Sequence, residues 1–237
     1  MSTIDRDINP QLYARVGGAL YLIIIALGII QEAFIRGRIV AAGDAAATFA
    51  NLQKMEMLWR TGIAFELVMM ILSVALAVIL YVLLRPVHKE LALMALLFNG
   101  IVIAVESAYA MQLVEALFPL GGNAYLTAFT PGQLQAMTAL AMKAHVFGFG
   151  IALLMFGPFL VIIGTLIFKS GYLPKPIGVL CQLAGVAYLF NGFVLVLAPQ
   201  FAGRVFLFMA VPAFIGETSL AMWLLVKGIG MEGWRTK

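Results

Sequence analysis

The chain has 237 residues, of which 63% are hydrophobic and 11% charged, and a net charge of +4. A soluble domain carries about 25% charged residues; together with a mean hydropathy of +1.04 this excludes a water-soluble fold. The modest positive excess suits basic loops beside anionic lipid headgroups, and no basic stripe suggests nucleic-acid binding. Cys181 is the single cysteine and lies in an apolar run, which excludes a disulfide framework and a Cys-based metal site and marks it as a small packing residue. No Pro/Ser-rich linker divides the chain, so its size predicts one membrane domain over residues 1–237.

The first ten residues are polar, with Asp5 and Asp7. The apolar stretch after them runs too long for a cleaved signal and reads as a retained helix. A membrane helix needs about 20 mostly apolar residues. Six stretches qualify: Ala14–Ile35, Thr61–Leu84, Leu91–Leu117, His145–Phe168, Ile177–Ala198 and Val205–Val226. The expected fold is all-α, a polytopic six-helix transmembrane bundle with short helices on its outer surface. Between the first two spans Asp44 can cap a short amphipathic helix carrying Phe49, Leu52 and Met55. Before the fourth span, Thr130-Pro131 is an N-cap and N1 pair, so that helix starts at Pro131 and protrudes. Pro158 is expected to kink it. Gly150, Gly157, Gly164 and Gly171 are spaced by seven, as are Gly178, Gly185 and Gly192. Two such stripes joined by the turn 170–176 predict a tight antiparallel hairpin.

Six spans place both termini on one side. That side holds nine of the fifteen basic residues (Arg6, Arg15, Arg85, Lys89, Lys169, Lys175, Lys227, Arg235 and Lys237) and so is expected to be cytoplasmic.

Ionisable groups inside apolar spans are costly, which makes them functional candidates. Glu66, Glu106 and Glu217 interrupt three spans, and His145 opens a fourth. Counting depth along the helices places these four, with Asn191, in the outer half of the bilayer. The expectation is one polar cavity facing outward, bounded by Glu66, Glu106, His145, Asn191 and Glu217, with Arg60 as counter-ion. Each also has a structural reading: Glu66 and Glu217 as hydrogen-bonded helix staples, Glu106 pairing with Asn99, His145 meeting water near the interface after Lys143, Asn191 and Gln182 as interhelical bonds, and Arg60 as a marker of the water boundary.

There is no P-loop, no nucleophile elbow, no H-E-x-x-H and no dinucleotide-binding glycine motif. Two histidines at opposite ends cannot ligate a haem within the membrane. A metal, if present, would fall to Glu66, Glu106, His145 and Glu217, although no E-x-x-H pair supports one.

Several segments carry a family resemblance: Trp59-Arg60-Thr61-Gly62-Ile63, Leu80 to Val87, His145 to Phe149, Gly164 to Pro174, and Gly216-Glu217 followed by Trp223 to Gly228. On these the chain resembles an uncharacterised family of bacterial integral membrane proteins, domain of unknown function 4386, from about Ala14 to Gly228. The resemblance implies a six-helix bacterial membrane protein and gives no activity; the expected location is the bacterial cytoplasmic (inner) membrane. The resemblance also singles out Arg60, His145 and Glu217 as family-type positions.

Three functions follow as expectations. The first, preferred because the polar groups face outward without a catalytic grouping, is binding or transport of a small, amphipathic or lipid-headgroup ligand, or of a proton. The second is an intramembrane enzyme using metal or acid–base chemistry on a lipid-like substrate. The third is an accessory subunit packing against a second copy or other membrane partners.

Overall fold

The computed structural model describes residues 9–236, and all its regular structure is helical. The expectations for Asp5, Arg6, Asp7 and Lys237 lie outside the described residues. Helix α1 (Pro10–Ile39) is followed by the short α2 (Ala45–Lys54), then α3 (Glu56–Leu84), α4 (Lys89–Glu115), α5 (Pro131–Ser170), α6 (Lys175–Leu197), α7 (Pro199–Val226) and the short α8 (Met231–Arg235). Six of these are long and apolar enough to cross a membrane, as predicted. Most overrun the predicted apolar windows because polar caps outside those windows start them. Asn9 caps α1 by accepting the Leu12 N–H, with Pro10 at the first turn. At α5 the Thr130 hydroxyl accepts the Gln133 N–H while the Gln133 side chain accepts the Thr130 N–H. That capping box adds over three turns before His145. Pro158 sits inside α5 without ending it.

Each spanning helix packs on its neighbour in sequence, and α7 closes back onto α1, so the six form a ring. The end carrying residue 10, the turn 85–88, the turn 171–174 and α8 is here called proximal. It is tied together by polar bonds. The Gln11 amide donates to Lys227 O and accepts from Ile229 N–H, while the Tyr172 hydroxyl and the Trp234 indole both donate to Leu83 O. Burial pushes the Tyr172 phenol above its ordinary range, so it stays a donor.

The α5–α6 hairpin is as tight as the glycine spacing predicts. A Cβ on Gly164 would collide with Gly178 O, and one on Gly178 would lie 2.6 Å from Gly164 O. Gly157 and Gly185 oppose each other in the same way, at 2.8 and 2.6 Å. The stripes therefore meet backbone to backbone. Gly171 belongs to neither: it ends α5 with φ 78°, a left-handed position that favours glycine.

Three apolar clusters result, the smallest of them Val102, Tyr109 and Ala152 between α4 and α5. The largest fills the proximal half, with Leu83, Leu160, Leu166, Ile167, Leu220 and Leu224 almost fully buried. A smaller distal one gathers Ile35, Ile39, Leu52, Trp59, Leu113 and Met142. Helix α2 supplies Leu52 to it, capped by Asp44 at 2.8 Å from Ala47 N, so the expected surface helix is docked onto the bundle, mainly on α5. Trp59 is 2% exposed and donates its indole N–H to Leu113 O at 2.9 Å. It ties α3 to α4 inside the bundle.

Candidate polar site at the distal end

Near its distal end α1 changes pitch. Gln31–Arg36 is π-helical, and Gly37 N–H reaches Glu32 O five residues back. In an α-helix, residues five apart point to different sides; the wider turn brings Gln31 and Arg36 round to the same neighbour. Such segments recur at functional sites. Here the neighbour is Glu66 on α3. The Gln31 amide donates to Glu66 Oε2 at 2.7 Å, and Arg36 Nη2 donates to the same oxygen at 3.3 Å. From α5, His145 Nε2 lies 3.1 Å from Glu66 Oε1 and 3.1 Å from Arg36 Nη2. Gln31, Glu66 and His145 are all buried, and the Arg36 side chain is 18% exposed.

These contacts compete. One imidazole nitrogen has either a proton or a lone pair, so His145 Nε2 cannot both accept from Arg36 and donate to Glu66. Arg36 thus keeps unused donor capacity, although it also reaches Glu32 Oε2 at 3.5 Å. The Tyr109 ring stands edge-on to the His145 ring, with centroids 4.7 Å apart. Glu106, on α4, interacts electrostatically with Glu66 and Tyr109, and no hydrogen bond or ion pair holds it among the described residues.

Beside this cluster opens a cleft of about 370 Å³, bounded by the 40–45 turn, Thr48, Trp59, Leu113 and the α5 residues from Ala139 to Val146. Arg36, Lys143 and His145 supply its basic groups. Lys143 is exposed and has no ion pair among the described residues. Asp44 is the one acidic lining residue, and its carboxylate already caps α2. A hole of about 10 Å³, room for roughly one water, sits behind Arg36 against Gln31 and Gly62.

The six residues proposed from sequence do not form one cavity. Glu66 and His145 touch, with Glu106 nearby; of the six, His145 alone lines the cleft. Glu217 forms a second centre on α7. There Tyr21 of α1 donates to Oε2 at 2.8 Å and Tyr188 of α6 to Oε1 at 2.6 Å. Tyr21 and Gln31 are ten residues apart on α1, so the two centres are separated by about 15 Å along that helix. Arg60 is not the counter-ion; it is half exposed and bound to Glu56 Oε1 at 2.7 Å, and Arg36 takes that role. Asn191 is buried with its Oδ1 unpartnered, as is Thr218 Oγ1. Gln182 donates to Thr165 Oγ1 at 3.0 Å, an interhelical bond as read. Among the described residues no three His, Cys, Asp or Glu side chains come close enough to hold a metal ion.

Comparison with known proteins places the chain without assigning it a task. A family model described as Domain of unknown function (DUF4386) matches residues 16–228. A relative from Archaeoglobus fulgidus, named only as an uncharacterized protein, is 30% identical over 158 residues, covering 67% of this chain and 78% of the relative. No solved structure matches the chain.

Proposed function

This chain belongs to the DUF4386 family, and on that footing we propose that it is an integral membrane protein whose distal cleft binds a small anionic group. The observation that carries this reading is an unpaired cation, Lys143, sharing a cleft with Arg36, whose own contacts leave donors free. Arginine supplies a planar fork for carboxylate or phosphate, and lysine a mobile point charge. Glu66, Gln31 and Tyr109 are positioning residues: they fix Arg36 and His145 and do not line the cleft. Titrating sn-glycerol 3-phosphate into the purified protein tests it. The wild type should bind, and Lys143→Gln should bind more weakly while folding normally; a wild type that binds no anion removes the reading.

The proximal end is cytoplasmic on this account and the membrane is the cytoplasmic one, so the cleft faces outward. The support is the proximal concentration of Lys and Arg. Cys181 is fully buried, so an added thiol would report with little background. A membrane-impermeant maleimide should label Ala42→Cys in intact cells and should label Gly230→Cys only after lysis. The reverse pattern would invert the assignment.

A second reading, acid–base catalysis on the bound group, is favoured by the His145–Glu66 contact at the cleft wall. Binding retained with turnover lost in His145→Gln would mark it.

A further inference from the structure

The cleft lies at the depth where a bilayer keeps its phosphates. Arg85, Lys89, Lys169 and Lys175 flank the proximal ends of four spans and set one interface there. The hydrocarbon core is about 30 Å thick. At 1.5 Å per residue, Glu66 lies about 27 Å from the Leu84 end of α3, just inside the far edge. His145 touches Glu66 and so lies at nearly the same level, with Lys143 two residues further out along α5. A tilt of about 20° shortens this depth by only a few ångströms.

One side of the cleft has no wall. On α5 the lining runs from Ala139 to Val146, whereas α6 ends at Leu197, shortly after Leu195 has packed against Gly150. No lining residue comes from α6 or α7 among those described. The cleft is thus walled by α1 to α5 and leaves the side of α6 and α7 without a lining residue. Its lining is also two-natured. Arg36, Lys143 and His145 lie together with Val40 and Val146, which are 42% and 53% exposed. A site fed from water gains nothing from exposed valines, whereas a site entered from the bilayer needs an apolar path for the chain attached to the phosphate.

We propose that the occupant is a phospholipid, its phosphate between Arg36 and Lys143 and its acyl chains leaving across Val40 and Val146. This rests on the reading of the cleft as an anion site and names the source of the anion. A cleft of about 370 Å³ suits a glycerophosphate headgroup with the chains left in the bilayer.

The test is native mass spectrometry of protein released from nanodiscs containing phosphatidylglycerol or diacylglycerol, which differ by the phosphate headgroup. The expected result is one retained phosphatidylglycerol per chain, favoured over diacylglycerol by about tenfold or more and largely lost in Lys143→Gln. Equal retention of diacylglycerol, or retention indifferent to Lys143→Gln, overturns the proposal. Binding of sn-glycerol 3-phosphate without lipid retention overturns the lipid source alone and leaves the anion site standing. Absence of both overturns the two together.

Discussion

At Glu66, side chains from two other helices converge on one carboxylate: Gln31 and Arg36 from α1, His145 from α5. Breaking a buried ion pair costs about 3–5 kcal/mol, because the remaining charge loses its partner, whereas replacing both members with apolar groups is often neutral. Arg36 is partly exposed, so solvent screening brings the loss below that range. Arg36→Met is expected to destabilise the protein by about 2–3 kcal/mol in unfolding titrations, and Arg36→Met with Glu66→Leu to recover most of that loss. Additive losses would show that the pair is not coupled. Glu66 and His145 were legible in the sequence because an ionisable residue inside an apolar run stands out. Arg36 and Gln31 were not, since polar residues at a span's end read as the water boundary and hydropathy carries no sign of a π-helical turn. Glu217 stood out equally, but nothing in the sequence pairs it with Tyr21 and Tyr188, which lie on two other helices.

Among the helices, the α5–α6 hairpin depends most on single residues. Gly157, Gly164, Gly178 and Gly185 let two backbones touch where no hydrophobic effect drives spans together. Gly164→Val has no space to enter, since a Cβ there already meets Gly178 O and Gln182. It should separate the hairpin and lower the thermal midpoint in detergent by about 10 °C or more, the scale of a loss of several kcal/mol. Gly100→Ala is the control: nothing lies within 4 Å of its Cβ position, and a mid-helix alanine is better by up to about 1 kcal/mol. Equal effects of the two would refute backbone-level packing. This hairpin was readable from spacing alone, and the starts of α2 and α5 from Asp44 and Thr130, because caps and small-residue stripes are local signals. The docking of α2 was not: a short amphipathic helix looks the same on a lipid surface and on a protein one.

At the scale of the whole molecule, six antiparallel spans close into a ring whose proximal half is filled with hydrocarbon and whose distal half is open on one side. Helix lengths produce this asymmetry. Helix α5 has 40 residues and α6 has 23, so one wall stands well above its neighbour. Span count and apolar length made the ring's members legible from sequence. The division of the buried polar groups into two centres was not, because depth counted along single helices says nothing about which faces meet. Glu66 and Glu217 seemed to share a cavity, while the structure gives each its own donors on different helices.

The central claim is that the distal cleft is an anion site, and calorimetric titration of sn-glycerol 3-phosphate into the detergent-purified wild type and Lys143→Gln tests it most directly. The account predicts one site per chain, weakened about tenfold in the variant, the effect of losing one charge-assisted hydrogen bond. Wild type and variant binding alike, or a folded wild type giving no heat, would contradict it.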